Sequence, residues 1–167
     1  MFYRLVATFP DYTRLLLHCD GTNGAVSFPD AAGGHTVVAS GDVQISTAQS
    51  RFGGAAAYFD GTGDYLETPD AAEFEPGAEA FTVDFWIYPL SNPDHTFLVG
   101  KSYADFGQGF DIRLRGEAIA VVGVNGWAVN ITSESAVSTG AWHHVAVSST
   151  TNTVYVFIDG VQKGTCP

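Results

Sequence analysis

A chain of 167 residues in which 46% of side chains are hydrophobic and only 15% charged has the apolar material for a buried core, which excludes a disordered chain. Its 18 acidic against 7 basic residues leave a formal charge of -11, which repels phosphate backbones and argues against nucleic acid as a partner. No apolar run approaches the ~20 residues of a membrane-spanning helix, so membrane insertion is not expected.

Met1 to Arg14 opens the chain as an N-terminal arm or edge strand, ahead of one domain over 15–167. Its apolar stretch is short and ends at Pro10 and Asp11, too weak for a secretion signal. Short strands are then expected at Leu15 to Cys19, Val43 to Ile45, Ala56 to Phe59 and Tyr65 to Thr68. The segment Pro69 to Phe74 allows one helical turn at most, because Pro76-Gly77 follows at once.

The clearest period-two pattern is Phe81-Thr82-Val83-Asp84-Phe85-Trp86-Ile87-Tyr88, with Phe81, Val83, Phe85 and Ile87 on one face. That row is expected between two sheets. Further strands are expected at Phe97 to Gly100, Phe110 to Arg115, Ile119 to Val124 and Trp127 to Ile131; in the second of these, Asp111, Arg113 and Arg115 make a wet face. The runs Trp142 to Val147 and Val154 to Ile158 form a hairpin, and Asp159-Gly160 turns the chain into a third strand at Val161. Many short strands with almost no helix imply an all-β, two-sheet antiparallel sandwich.

Five segments, in order, resemble the concanavalin A-like lectin/glucanase superfamily in its laminin G-like, pentraxin-like branch. They are Leu16 to Gly21, Ser50 to Leu66, Phe81 to Tyr88, Trp142 to Val147, and Val156 to Val161. The resemblance implies a jelly roll of two curved antiparallel sheets, often with a calcium ion, used mostly to bind glycans or proteins. Relatives continue past the final hairpin, so the pattern here lacks the last family strands. The open edge this implies favours a strand-donating neighbour or a homo-oligomer. The stretch from Phe52-Gly53-Gly54 to Phe59-Asp60-Gly61 also looks like laminin G-like domains of virion structural proteins, which places the chain on a virion surface or outside the cell.

Calcium needs several converging oxygens, and two sets qualify: Asp20 with Asp60 and Asp64 in Asp-Gly loops, and Asp105 with Gln108. The second lies where pentraxin-like relatives place half of their ligands. The bland reading of both is turn-forming side chains that accept from backbone amides. A sugar-binding surface would use exposed aromatics with polar groups beside them; Trp127, Trp86, Tyr88 and Tyr103 are the aromatics available, and Trp127, Tyr103, Asp105 and Asn125 are the candidates, while the bland role of the aromatics is core filling. His143 and His144, adjacent on a strand, face opposite ways and do not share one ion.

Cys19 and Cys166 could bridge, although two cysteines are no disulfide framework and buried small hydrophobes are the commoner role. Glucanases place acid and nucleophile carboxylates close together, and no segment here carries such a pair on one strand. The expectation is a non-catalytic glycan- or protein-binding display module. Alternatives are a purely structural decoration subunit and, more weakly, a degenerate glucanase.

Overall fold

The computed structural model describes residues 12–74, 80–101, 110–124, 127–150 and 153–167, and of 124 and 127–130 the backbone alone. The first eleven residues of the expected N-terminal arm lie outside this set. The chain divides into two compact units, Met1–Ala71 and Ala72–Pro167.

In the first unit β1 (Val38–Ser40) pairs with β4 (Tyr65–Glu67), and β2 (Gln44–Ser46) with β3 (Ala56–Tyr58), both antiparallel. Phe28, Val43, Ile45 and Ala55 form its buried core, with Cys19, Ala39, Ala57 and Leu66 packed against them. β1 was not expected from the sequence, because Val37 and Val38 break the alternation that marks the other strands.

The strand expected at Leu15 to Cys19 is corrected: the segment makes only a single bridge, Leu17 to Asp30. A side chain replaces the ladder there. Asp30 Oδ1 accepts from the backbone N–H groups of Leu16 and Ala32, and Oδ2 from those of Gly34 and His35, at 2.9–3.1 Å. Burial pushes the Asp30 carboxyl up, but these four donors outweigh it and hold it below the usual carboxylate range.

The second unit opens with a short 3-10 turn, Ala72–Phe74, and then carries β5 (Phe81–Ile87), β6 (Thr96–Lys101), β7 (Phe110–Arg115) and β8 (Ala118–Val124). After these come β9 (Trp127–Thr132), β10 (His143–Ser149), β11 (Val154–Ile158) and β12 (Val161–Cys166). They form two four-stranded antiparallel sheets, in the orders β12-β11-β10-β5 and β6-β7-β8-β9.

One core joins the inner faces of the two sheets. Val145, Val147, Val154, Val156 and Ile158 of the first meet Ile112, Leu114, Ile119, Val121 and Ile131 of the second, and the row Phe81, Val83, Phe85 and Ile87 packs on them as expected. Alternation is the cause: every second residue of β10 and β11 is buried and those between are half-exposed. Each fully buried Val or Ile contributes about 1.5–3 kcal/mol relative to exposure.

One turn and one irregularity set the β11-β12 pairing. Asp159 (φ 52°) and Gly160 (φ 76°) both sit in the left-handed region, the form a two-residue hairpin needs to match strand twist. In β12 an irregularity after Gln162 brings Gly164 opposite Val156, where an added Cβ would lie 3.0 Å from Ile131 Cγ2. The sheets therefore approach closely at that point. Cys19 and Cys166 are both free thiols.

Ile112 is fully buried between the sheets. Ile112→Ala is expected to lower unfolding free energy by about 2–5 kcal/mol, read as a fall in the urea midpoint, whereas Thr132→Ala at an exposed β9 position should stay within about 0.5 kcal/mol.

Candidate functional site

The alternation that buries one row of the β12-β11-β10-β5 sheet projects the other row outward. Cross-strand partners share a face, so register alone assembles the outer surface. Trp86 lies opposite His144. One step along, Asp84, Ala146, Phe157 and Gln162 line up across the four strands, and after them Thr82, Ser148, Tyr155 and Thr165.

Aromatic rings run along this surface. Tyr88 and Trp142, just beyond the paired residues, have ring centroids 5.5 Å apart; those of Trp86 and His144 are 5.2 Å apart, and those of Tyr155 and Phe157 6.3 Å apart. All six rings are half-buried. Polar groups stand between them: Thr82 Oγ1 donates to Ser148 Oγ at 3.1 Å, and His144 Nε2 lies 3.7 Å from Asp84 Oδ1. Asp84, Thr82, Gln162 and Thr165 are exposed around the rings. Half-buried aromatics framed by exposed hydrogen-bonding groups can stack on an apolar ring face while bonding its hydroxyls.

Behind the face, at the start of β10, lies a network the sequence did not disclose. His143 is only 8% exposed. Its Nδ1 is 2.8 Å from Asp159 Oδ2, and its Nε2 is 3.1 Å from both the backbone nitrogen and the hydroxyl of Ser138. The order serine, histidine, aspartate has the look of a nucleophilic triad. The backbone decides otherwise: the Ser138 N–H points at Nε2, so that lone pair is already engaged and Nδ1 carries the proton donated to Asp159.

Asp159 also accepts from His144 N–H through Oδ1 at 2.9 Å, and its own N–H donates to the His144 carbonyl at 2.8 Å. One carboxylate thus ties the β11-β12 turn to the β10 backbone beneath the outer face. Burial raises the Asp159 carboxyl, but the His143 hydrogen bond, the His144 amide and the two imidazoles outweigh it and hold it below the usual range.

A second cluster belongs to the first unit. Asp42, Asp60 and Asp64 each offer a carboxylate oxygen within 4.8 Å of the others. The sequence reading grouped Asp60 and Asp64 with Asp20 and omitted Asp42. Asp20 instead lies against Gly53, where an added Cβ would collide with its carboxylate. Asp42 joins because Gly41 (φ 78°) turns the backbone so that Asp42 N–H donates to Asp64 Oδ1, while Asp60 N–H donates to Asp64 Oδ2, both at 2.8 Å. A hydrogen bond to Asp64, and then the negative charges of Asp64 and Asp60, push the Asp42 carboxyl up; the backbone amides of Asp60 and Asp42 hold Asp64 down.

Of the other expected site residues, Tyr103, Asp105, Gln108 and Asn125 lie outside the described residues. Trp127 opens β9, its backbone paired with Val124, and its side chain is likewise outside them.

A laminin G family model, described as concanavalin A-like lectin/glucanases superfamily, matches residues 60–167. No curated protein matches the chain.

Asp159→Asn keeps a residue that tolerates the left-handed turn and removes the charge. A carboxyl depressed by folding contributes stability above its unfolded value and loses it as pH falls through the folded one. Wild type should therefore resist urea better than D159N at neutral pH, with the difference lost as pH falls through the depressed range of the Asp159 carboxyl. Parallel curves at all pH values would show that the Asp159 charge adds nothing.

Proposed function

The chain belongs to the concanavalin A-like lectin/glucanases superfamily, and on that premise we propose that it is a non-catalytic carbohydrate-binding module whose contact surface is the outer face of the β12-β11-β10-β5 sheet. The observation that carries this reading is the run of half-buried rings from Tyr88 and Trp142 through Trp86 to Phe157 and Tyr155, with Asp84, Thr82 and Gln162 exposed beside it. Sugars present an apolar ring face and a rim of hydroxyls, and this surface offers both complements.

The non-catalytic part is supported by the carboxylates. Each described strand carries at most one, Asp84 on β5, Asp111 on β7 and Glu67 on β4, and Asp111 is paired with Arg113. Glycoside hydrolysis needs two carboxyl groups facing one bond. The Ser138 contact with His143 supports the same view, because the imidazole nitrogen it would use already accepts an amide N–H.

Immobilised full-length chain on a glycan array should retain at least one glycan class, and Trp86→Ala should weaken that binding by about tenfold or more. Silence across the array, or equal binding by W86A, would overturn the assignment. Release of new reducing ends from a bound glycan would overturn its non-catalytic part.

A structural calcium ion is a second proposal, resting on Asp42, Asp60 and Asp64. These residues fit a hard cation: three oxygens converge, two of the side chains are exposed, and the mutual repulsion that raises Asp42 is relieved by positive charge. Carbonyls and water would complete the 6–8 oxygens calcium takes. Its chemistry there is to hold two loops together, a task Asp64 already performs through its amide bonds. Calorimetric titration should then give one binding event and a rise in melting temperature, both lost in Asp42→Asn; no heat and no shift would leave Asp64 as a backbone staple alone.

A further inference from the structure

The face proposed for glycan binding has a charge pattern of its own. None of the residues that register places on it is Lys or Arg. Near the middle stands Asp84, whose side chain is 61% exposed. The lysine nearest in sequence, Lys163, sits at the β12 irregularity with Nζ 3.3 Å from Glu134 Oε2. His144 Nε2 is 3.7 Å from Asp84 Oδ1, so the imidazole on this face is turned toward that carboxylate.

The rings are also spread out instead of gathered round one point. From the Tyr88 level of β5 to the Thr82 level is six residues, or roughly 20 Å of strand, and from β5 to β11 is two strand spacings, roughly 10 Å. A ligand touching Tyr88, Trp86, Phe157 and Tyr155 together must be extended and cross the strands obliquely. A single sugar would cover only one pair of rings.

We infer that the ligand of this face is an uncharged, extended polysaccharide, and that sulfated or uronate chains are rejected by Asp84. This rests on the carbohydrate reading above. An anionic group laid along the rings meets an exposed carboxylate, with no Lys or Arg among the described residues that register places on the face, inside a molecule of formal charge -11. The repulsion acts through water and is screened over about 10 Å at 0.1 M salt, so the discrimination depends on ionic strength. Neutral chains pay no such penalty and owe their affinity to ring stacking, which salt barely alters.

The test compares chains that share a backbone and differ in charge: hydroxyethylcellulose against carboxymethylcellulose, and dextran against dextran sulfate, with galactomannan as a further neutral chain. Retardation of the full chain in native gels is read at neutral pH and at low and high ionic strength. Neutral chains should be bound about fivefold or more tightly than their charged counterparts at low salt, with the gap narrowing at high salt. Asp84→Asn should narrow the gap at low salt by strengthening the anionic chains, and Trp86→Ala should weaken all of them.

Anionic chains bound as well as neutral ones, or an unchanged ratio in D84N, would overturn the charge selection while leaving the carbohydrate reading in place. No retardation by any chain would overturn both. The salt dependence of the wild type decides the matter should D84N prove unstable.

Discussion

β10 is hydrogen-bonded along both edges, to β5 over seven residue pairs and to β11 over five. Its odd-numbered residues, His143, Val145, Val147 and Ser149, are buried, and its even-numbered ones, His144, Ala146 and Ser148, are half-exposed. A slip of one residue would put Val145 and Val147 in water and break the His143 bonds to Asp159 and Ser138, so the register has a single acceptable value. The faces of its two neighbours, β5 and β11, follow from that choice. It decides which side of β5 faces inward, and therefore that Trp86 and Asp84 stand outside together.

Carboxylates do in the loops what alternation does in the strands. Asp30 gathers four backbone amides around a segment that never joins a sheet. Asp64 joins the Asp42 and Asp60 loops, and Asp159 joins a hairpin turn to the strand beside it. These three carboxylates are thus structural, since a loop without a ladder must find acceptors for its amides elsewhere. The Asp42 carboxyl stands apart because a hydrogen bond to Asp64 and the charges of Asp64 and Asp60 raise it, whereas four backbone amides hold Asp30 down.

Strands were legible wherever one face is apolar. Phe81 to Ile87 keeps an apolar row at every second position, Val154 to Ile158 is a β-branched and aromatic run of strand length, and the Asp159-Gly160 turn between β11 and β12 is visible from two residues. The failures share a cause. Leu15 to Cys19 has strand-like composition, but Leu16, Ala32, Gly34 and His35 are gathered by one distant aspartate, and composition carries no record of such a partner. Site residues suffered more. Trp86 is legible as lying on the face opposite the Phe81 row, but a single strand does not say what stands beside it; only the pairing with β10 and β11 brings His144, Phe157 and Tyr155 to the same face. Asp42 was missed because it is adjacent to Asp60 and Asp64 in space alone, through the β1-β4 and β2-β3 pairings.

The buried network and the outer face meet in one residue pair. His143 points inward and His144 outward, and Asp159 holds both, the first through its ring and the second through its backbone amide. His144 in turn lies against Trp86. The Ser138 amide fixes the His143 tautomer, His143 fixes Asp159, and Asp159 fixes the backbone that carries the outward ring. A serine, histidine and aspartate in line can hold a structure as well as cut a bond, and the direction of one backbone N–H separates the two. Here that N–H occupies the nitrogen a base would need, so the arrangement holds the β10 backbone beneath the outer face; for a face that binds as proposed, such pre-organisation leaves little ordering to be done on binding.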